Sequence, residues 1–470
     1  MAIPIGAAAV TYPVPSAVPA GAAELDSMPL GLSFEFFMWP SYMTNITPPL
    51  RCMEHFKDLY GKAMPIRIGG TTQDRATYDP NLEAYVSYSV DDPLEAPMTL
   101  TYGPRFFDLI RFNRGDNNRT NTFEAIMAAK QRALDYLWAI EIGNEPDLYH
   151  LFWNKPVAVA PWNETQEGQD AADWIQQFID TWGEPLPMIS AGAYGIPYEY
   201  QPSWPNTDYL INEAFNDTVK SAVGRYCTHL YALAAGTSLE ADMAHTQTVS
   251  DVSLLVEKIA AAKSVNRPYI LGETGFHGQD VATDATFGGA LQILDKTLRA
   301  TSIGIERLFY HQGTINQAYF NWWSDNQVNA PFYGGYMATL ALAGGDHVIA
   351  TDAGNDSYAQ YVVYKDGRPW KAVLINTEYY SGSGTRSSCS FTLSGLSSQN
   401  VKALRMTAAS SVVTTSRDAT DTSLGPTIGG QSFSHQTCAK EGKLQYETAC
   451  VKRGKVTFRI AASEALLVYL

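Results

Sequence analysis

Two short words in this 470-residue chain hold the side chains best suited to chemistry: AIEIGNEPD at 139–147 and YILGETGF at 269–276. Each sets a glutamate, Glu145 or Glu273, at the C-terminal end of an apolar run that reads as a β-strand. An isolated strand-end glutamate usually caps the helix that follows. Two of them brought to one mouth could instead cleave a glycosidic bond, with one carboxyl protonated for the leaving oxygen and the other ionised to attack the anomeric carbon. Asn144, next to Glu145, is placed to hydrogen-bond a sugar hydroxyl beside the reacting carbon.

Such convergence needs a scaffold that delivers strand ends to one face. Eight candidate strands are read at 30–38, 65–70, 109–114, 139–144, 187–192, 226–232, 268–273 and 307–312, with helical patterns between them, clearest at 122–137, 171–182, 251–263 and 287–302. Eight strands alternating with helices predict a (β/α)8 barrel, whose sites gather at the C-terminal strand ends. Glu145 and Glu273 then stand on the fourth and seventh strands. Near residue 340 the pattern changes to Val/Thr/Ser/Tyr-rich runs at 358–367, 371–378, 389–395, 401–408, 455–461 and 465–470, which predict a β-sandwich. The expected division is an N-terminal segment 1–28 giving a strand to that sandwich, a barrel 29–340 and a β-domain 341–470.

Composition narrows the partners. Lys and Arg total 33 against 48 Asp and Glu, a net charge of −15, which repels nucleic acid and anionic membrane surfaces. No run of about 18 apolar residues is present to span a membrane. Cofactor and metal motifs such as GxGxxG, GxxxxGK[ST] and HExxH are missing from any suitable strand context, so neither a cofactor nor a metal is expected. Sequons at Asn45, Asn118, Asn163, Asn216 and Asn355, together with Cys438 and Cys450 reading as a local disulfide, suggest a secreted glycoprotein lacking its signal peptide here, with a monomer expected.

The words GLSFEFF (31–37), PIRIGGTTQD (65–74), IEIGNEPD (140–147), THLY (228–231) and ILGETG (270–275), with a β-rich end closing on ALLVYL, resemble glycoside hydrolase family 79 over almost the whole chain. This is the β-glucuronidase and heparanase family of retaining barrel glycosidases. The resemblance implies Glu145 as general acid/base and Glu273 as nucleophile, with Tyr231 hydrogen-bonding Glu273 and His229 supporting the site. It places Glu35, Gly70 and Thr71 along the pocket for the terminal sugar; the alternative for Glu35 is a buried carboxylate paired with a basic residue such as Arg67. It further implies that a glucuronate carboxylate is held by neutral donors from the segments 274–278 and 325–336, which include Gly275, Asn329 and Tyr333.

One departure stands out. Where relatives carry a V-N-Y pattern this chain has Val328-Asn329-Ala330, so either Tyr333, Tyr336 or His311 replaces the lost donor, or Ala330 widens the pocket for a substituent on O4. The second is preferred. Trp153, Trp322 and Trp323 are candidates for stacking on sugar faces, although packing in the core is the commoner use of any one tryptophan. The expectation is a secreted retaining exo-β-glucuronidase that releases terminal, O4-substituted glucuronic acid from side chains such as those of arabinogalactan. A heparanase-like endo-enzyme would ask for Lys/Arg clusters along its cleft, and none is evident; the third reading is a non-catalytic carbohydrate-binding protein.

Overall fold

The computed structural model describes residues 8–108, 118–150, 158, 162–195, 207–232, 238–276, 281–317, 322–325, 327–415 and 425–470. Seven parallel strands form one sheet in the order Ile66–Gly69, Leu30–Glu35, Ile305–Gln312, Tyr269–Thr274, Val223–Leu230, Ile189–Tyr194 and Ile140–Glu141. This is the neighbour order of a (β/α)8 barrel. The remaining predicted strand, 109–114, lies outside the described residues.

Helix boundaries follow local chemistry. Asn163 caps Glu164–Trp182 through Oδ1 to the N–H groups of Thr165 and Gln166, and the Gln166 side chain accepts from Asn163 N to complete the box. Pro48–Tyr60 opens on two prolines and stops at Gly61, whose φ of 74° suits a residue without Cβ. The helix predicted at 251–263 is two, His245–Ser253 and Val256–Ser264, whereas Phe287–Ser302 has the predicted limits.

All six predicted tail strands are present, shifted by a few residues at most. A small sheet joins Ser388–Ser394 to Lys455–Ala461 and, in parallel, to the N-terminal strand Ala8–Pro13, as anticipated. A larger sheet carries Tyr358–Lys365, Arg368–Asn376, Asn400–Thr407 and Glu464–Tyr469. Its period-2 alternation explains why so few of its residues are polar. Val362, Tyr364, Leu374, Leu466 and Val468 face the small sheet, while Tyr361, Val363, Val373, Ile375 and Leu467 join the barrel core. Phe287–Ser302, buried along its length except at Arg299, lies at the junction of barrel and sandwich.

The disulfide differs from the expectation. Cys438 pairs with Cys52 at a Cα separation of 5.5 Å, tying Pro48–Tyr60 to the β-domain, and Cys450 is free and exposed. Proximity in sequence misled because Cys450 sits on an edge strand opposite Asn400. No described helix is long and apolar enough to cross a membrane.

Candidate active site

Strand register assembles the site in layers. His311 lies opposite Ser33, and Ser33 opposite Arg67, so three adjacent strands present one row of side chains to the barrel interior. Glu35 follows Ser33 by two residues and occupies the same face one step nearer the mouth. Glu145 is reached by a sharp turn: Gly143 has φ 86° and Glu145 itself φ 47°, ψ 57°, with Glu145 N donating to Ala193 O. A left-handed glutamate is a strained conformation of the kind retained at functional sites.

The two carboxylates converge. One oxygen of Glu145, one of Glu273 and a ring nitrogen of His229 all lie within 4.8 Å of one another. Their surroundings differ. Glu273 is buried; its Oε1 accepts from the Tyr231 hydroxyl at 2.6 Å and its Oε2 from Arg67 at 2.7 Å. Burial opposes its charge, but His311, His229, Arg67 and the Tyr231 bond outweigh burial and hold it well below the usual carboxylate range. Glu145 is more open, and its Oε1 meets His229 Nδ1 at 3.0 Å. The other ring nitrogen of His229 faces the Arg67 guanidinium at 3.3 Å. A guanidinium cannot accept, so when the ring is neutral its proton sits on Nδ1 and is donated to Glu145.

Arg67 organises the floor. Its N–H groups donate to Glu141, Ser33, Glu273 and the Asn144 side-chain oxygen, at 2.5–3.0 Å. Glu35, expected to pair with Arg67 if buried, instead accepts from the backbone N–H and hydroxyl of Thr72 and faces His311 Nε2 at 3.3 Å. Gly70 is required there, because a Cβ at its φ of 95° would fall 2.3 Å from Glu35 Oε2. Thr71, beside it, is half-buried, so it is the neighbouring Thr72 that engages Glu35. Asn144 is fixed by its own N–H donating to Asp74 Oδ2 at 3.1 Å.

Glu35, Gly70, Asn144, His229, Tyr231, Glu145, Glu273 and His311 are therefore drawn together. Gly275 follows the Glu273 strand, its carbonyl accepting from buried Lys296 at 2.7 Å; residues 277–278 lie outside the described residues. The segment after the eighth strand is placed differently from the expectation. Asn329 is bridged to Thr415 and Ala330 N donates to Thr414 O, which binds this turn to the β-domain. Tyr333 is fully buried beside Phe332 and Phe433, its hydroxyl accepting from Phe433 N at 2.8 Å. Ala330 has no exposed surface, so it walls no open pocket, and Trp322 and Trp323 are core side chains without a free face. Trp153 lies outside the described residues.

Glu141, Ser33, Thr72 and Asp74 join the site without being among the residues read from the sequence, and Arg67 is there only a partner for Glu35. Their signal was there: a charge between Ile66 and Ile68, and another between Ile140 and Ile142, must find partners if those strands enter a barrel. A cavity of about 540 Å³, lined by Met64, Ile66, Trp138, Ile140 and Phe309, approaches the other end of these strands, below Arg67 and Glu141.

Comparison with known proteins bears on the family and the fold. Residues 360–467 match the glycosyl hydrolase family 79 C-terminal beta domain. The chain is 35% identical to a 4-O-α-L-rhamnosyl-β-D-glucuronidase from Fusarium oxysporum 12S, solved as a Rha-GlcA complex, with a TM-score of 0.89 over 98% of this chain and 100% of that one. It belongs to glycoside hydrolase family 79. A β-glucuronidase of Aspergillus niger is 28% identical over 76% of this chain and 73% of its own length. An α-L-arabinofuranosidase of Thermotoga maritima, 11% identical with a TM-score of 0.63 over 98% of this chain, shares the fold. This family 79 hydrolase also brings Glu141, Cys227 and His229 within metal-ligand spacing, as it does Glu145, His229 and Glu273. Both groups already border the Arg67 guanidinium, which supplies the positive charge a cation would bring.

Proposed function

We propose that this family 79 glycoside hydrolase is a secreted, retaining exo-β-glucuronidase that removes terminal glucuronic acid bearing a sugar on O4 from polysaccharide side chains such as those of arabinogalactan. The observation that carries the mechanism is the approach of Glu145 and Glu273 oxygens to within 4.8 Å. An oxygen pair this close favours the carboxyl separation of about 5–5.5 Å used in double displacement over the roughly 6.5–9.5 Å of inverting enzymes.

In the first step Glu273, kept ionised, attacks the anomeric carbon while Glu145 gives its proton to the leaving oxygen. A glycosyl ester forms on Glu273 and the glycosidic bond breaks. Glu145, now a carboxylate steadied by His229 N–H, takes a proton from water, whose oxygen attacks the same carbon from the vacated side. The ester bond breaks, Glu273 is again a carboxylate, and the β configuration is retained. Asn144 is offered to the 2-hydroxyl, and Glu35 to a hydroxyl farther round the ring.

The O4 sugar rests on the Fusarium relative and no longer on Ala330. Secretion is supported by the Cys52–Cys438 disulfide and by exposure of all five sequon asparagines. Incubation with arabinogalactan carrying 4-O-α-rhamnosyl glucuronate should release the intact disaccharide, faster than glucuronate leaves the same polymer after its rhamnose is removed. Equal or better cleavage of the bare sugar would refute the O4 preference, and cuts within the polymer backbone would refute exo action.

A further inference from the structure

We propose that His311 is a positioning residue for the nucleophile: it ties Glu273 to Glu35 and holds Glu273 ionised, rather than serving as a donor to the sugar. This inference rests on Glu273 being the nucleophile.

The geometry argues for it in three ways. His311 is 2% exposed, so its ring is spent on protein neighbours. Those neighbours lie on both sides of it: Nδ1 meets Ser33 Oγ at 3.1 Å and Glu273 Oε2 at 3.5 Å, while Nε2 meets Glu35 Oε2 at 3.3 Å. The imidazole thus stands between the proposed nucleophile and a carboxylate at the mouth. Finally, Ser33 makes the arrangement tolerant of either protonation state. Its oxygen already accepts from Arg67 at 2.9 Å, so its own hydrogen is available. When Nδ1 carries a proton, Ser33 accepts from it; when Nδ1 is bare, the Ser33 hydroxyl donates to it. No buried polar atom of this row is orphaned in either state.

Among the described residues, burial opposes the imidazolium, Glu273 and Glu35 favour it and Arg67 opposes it, and the carboxylates prevail so that the His311 pKa is raised. Glu273 is correspondingly held low, with His311 the largest of its favourable electrostatic partners. The attraction is mutual, and removing the imidazole must raise the acidity range in which Glu273 takes up a proton.

The test is the pH dependence of kcat/KM for His311→Asn, whose acid limb reports ionisation of the free enzyme's nucleophile. The expected result is a limb displaced upward by roughly one to two pH units, as for loss of an opposite charge at this range, with kcat reduced more than KM is raised. An unmoved limb with only KM raised would overturn the inference and make His311 a sugar contact. Ser33→Ala, which unties the ring from Arg67, should move the limb the same way by less, and it carries the test should His311→Asn fail to fold by thermal melting. Glu273→Ala separates the two readings. If it stays fully active, Glu273 is not the nucleophile whatever His311 does; if it is inactive and the His311→Asn limb is unmoved, only the present inference falls.

Discussion

Gly195 shows how closely the carboxyl proposed as acid/base is gripped. A Cβ built on it would come within 2.7 Å of Glu145 Cδ, and its N–H donates to Asp147 Oδ1 at 2.9 Å, so the glycine both makes room for Glu145 and is pinned to the turn that carries it. Gly195→Ala must push the Glu145 carboxyl aside. A displacement of about 1 Å at a reacting group costs on the order of 100-fold in rate, so kcat/KM on a natural glucuronide should fall by about that factor. An aryl glucuronide whose leaving group needs no proton should lose much less in its first step. Steady-state kinetics on both substrates check this; equal losses on the two would mean the substitution damages binding rather than proton transfer. Glu145 and Glu273 were legible in the sequence because a glutamate closing an apolar strand is conspicuous. Gly195 was not, since its importance comes from a side chain fifty residues away in sequence that only the fold brings against it.

The strands are held to one another beneath the mouth by ion pairs as well as by their backbone ladders. Arg67 links its own strand to Ser33 on the next, to Glu141 and Asn144 on the far edge and to Glu273 across the barrel. Its side chain is 9% exposed, against 13% for Glu141 and 7% for Glu273, so removing it would leave two acidic groups facing each other with little water. Arg67→Met should therefore destabilise the fold by about 3–5 kcal/mol, the cost of breaking a buried pair on one side. Arg67→Lys should recover part of this, keeping the charge but losing the fork that serves four partners. Urea unfolding of the three proteins measures it, and a Met variant as stable as the parent would show that the two carboxyls simply protonate. At this scale the sequence spoke clearly about strands, since periodicity and strand-end residues survive in one dimension. It was silent on pairing such as Ser33 with Arg67 and Glu35 with Thr72, because register across a sheet is set by packing over the whole barrel. The Ala330 argument failed for the same reason: the turn after the last strand is stitched to Thr414 and Thr415, contacts that no local pattern announces.

The whole molecule is joined at a buried cluster that crosses from barrel to sandwich. His245, at the start of a barrel helix, meets Asp295 Oδ2 at 2.7 Å through Nδ1 and Asp352 Oδ1 at 3.0 Å through Nε2. Tyr361 of the β-domain donates to the other oxygen of Asp295 at 2.6 Å, and His245 N donates to Thr377 Oγ1. Burial disfavours the imidazolium, yet the two aspartates outweigh it and push the His245 pKa up to about 10 from 6.5. Burial likewise opposes the Asp352 charge, but the His245 bond and the Gln360 N–H hold it below its ordinary 3.8. The histidine's folded pKa is raised, so its contribution is complete below pH 6.5 and is lost as pH rises towards 10. The aspartate's is depressed, so its contribution is present above 3.8 and is lost as pH falls through the folded value. The junction should thus be firmest between about pH 4 and 6.5. Melting temperature measured from pH 4 to 10 should decline above 6.5 in the parent. In His245→Asn that decline should flatten, with a lower melting temperature throughout the acidic range because Asp295 and Asp352 lose their shared cation. A variant that keeps the parent's slope would place the pH dependence elsewhere and would overturn the idea that this imidazolium helps lock barrel to sandwich.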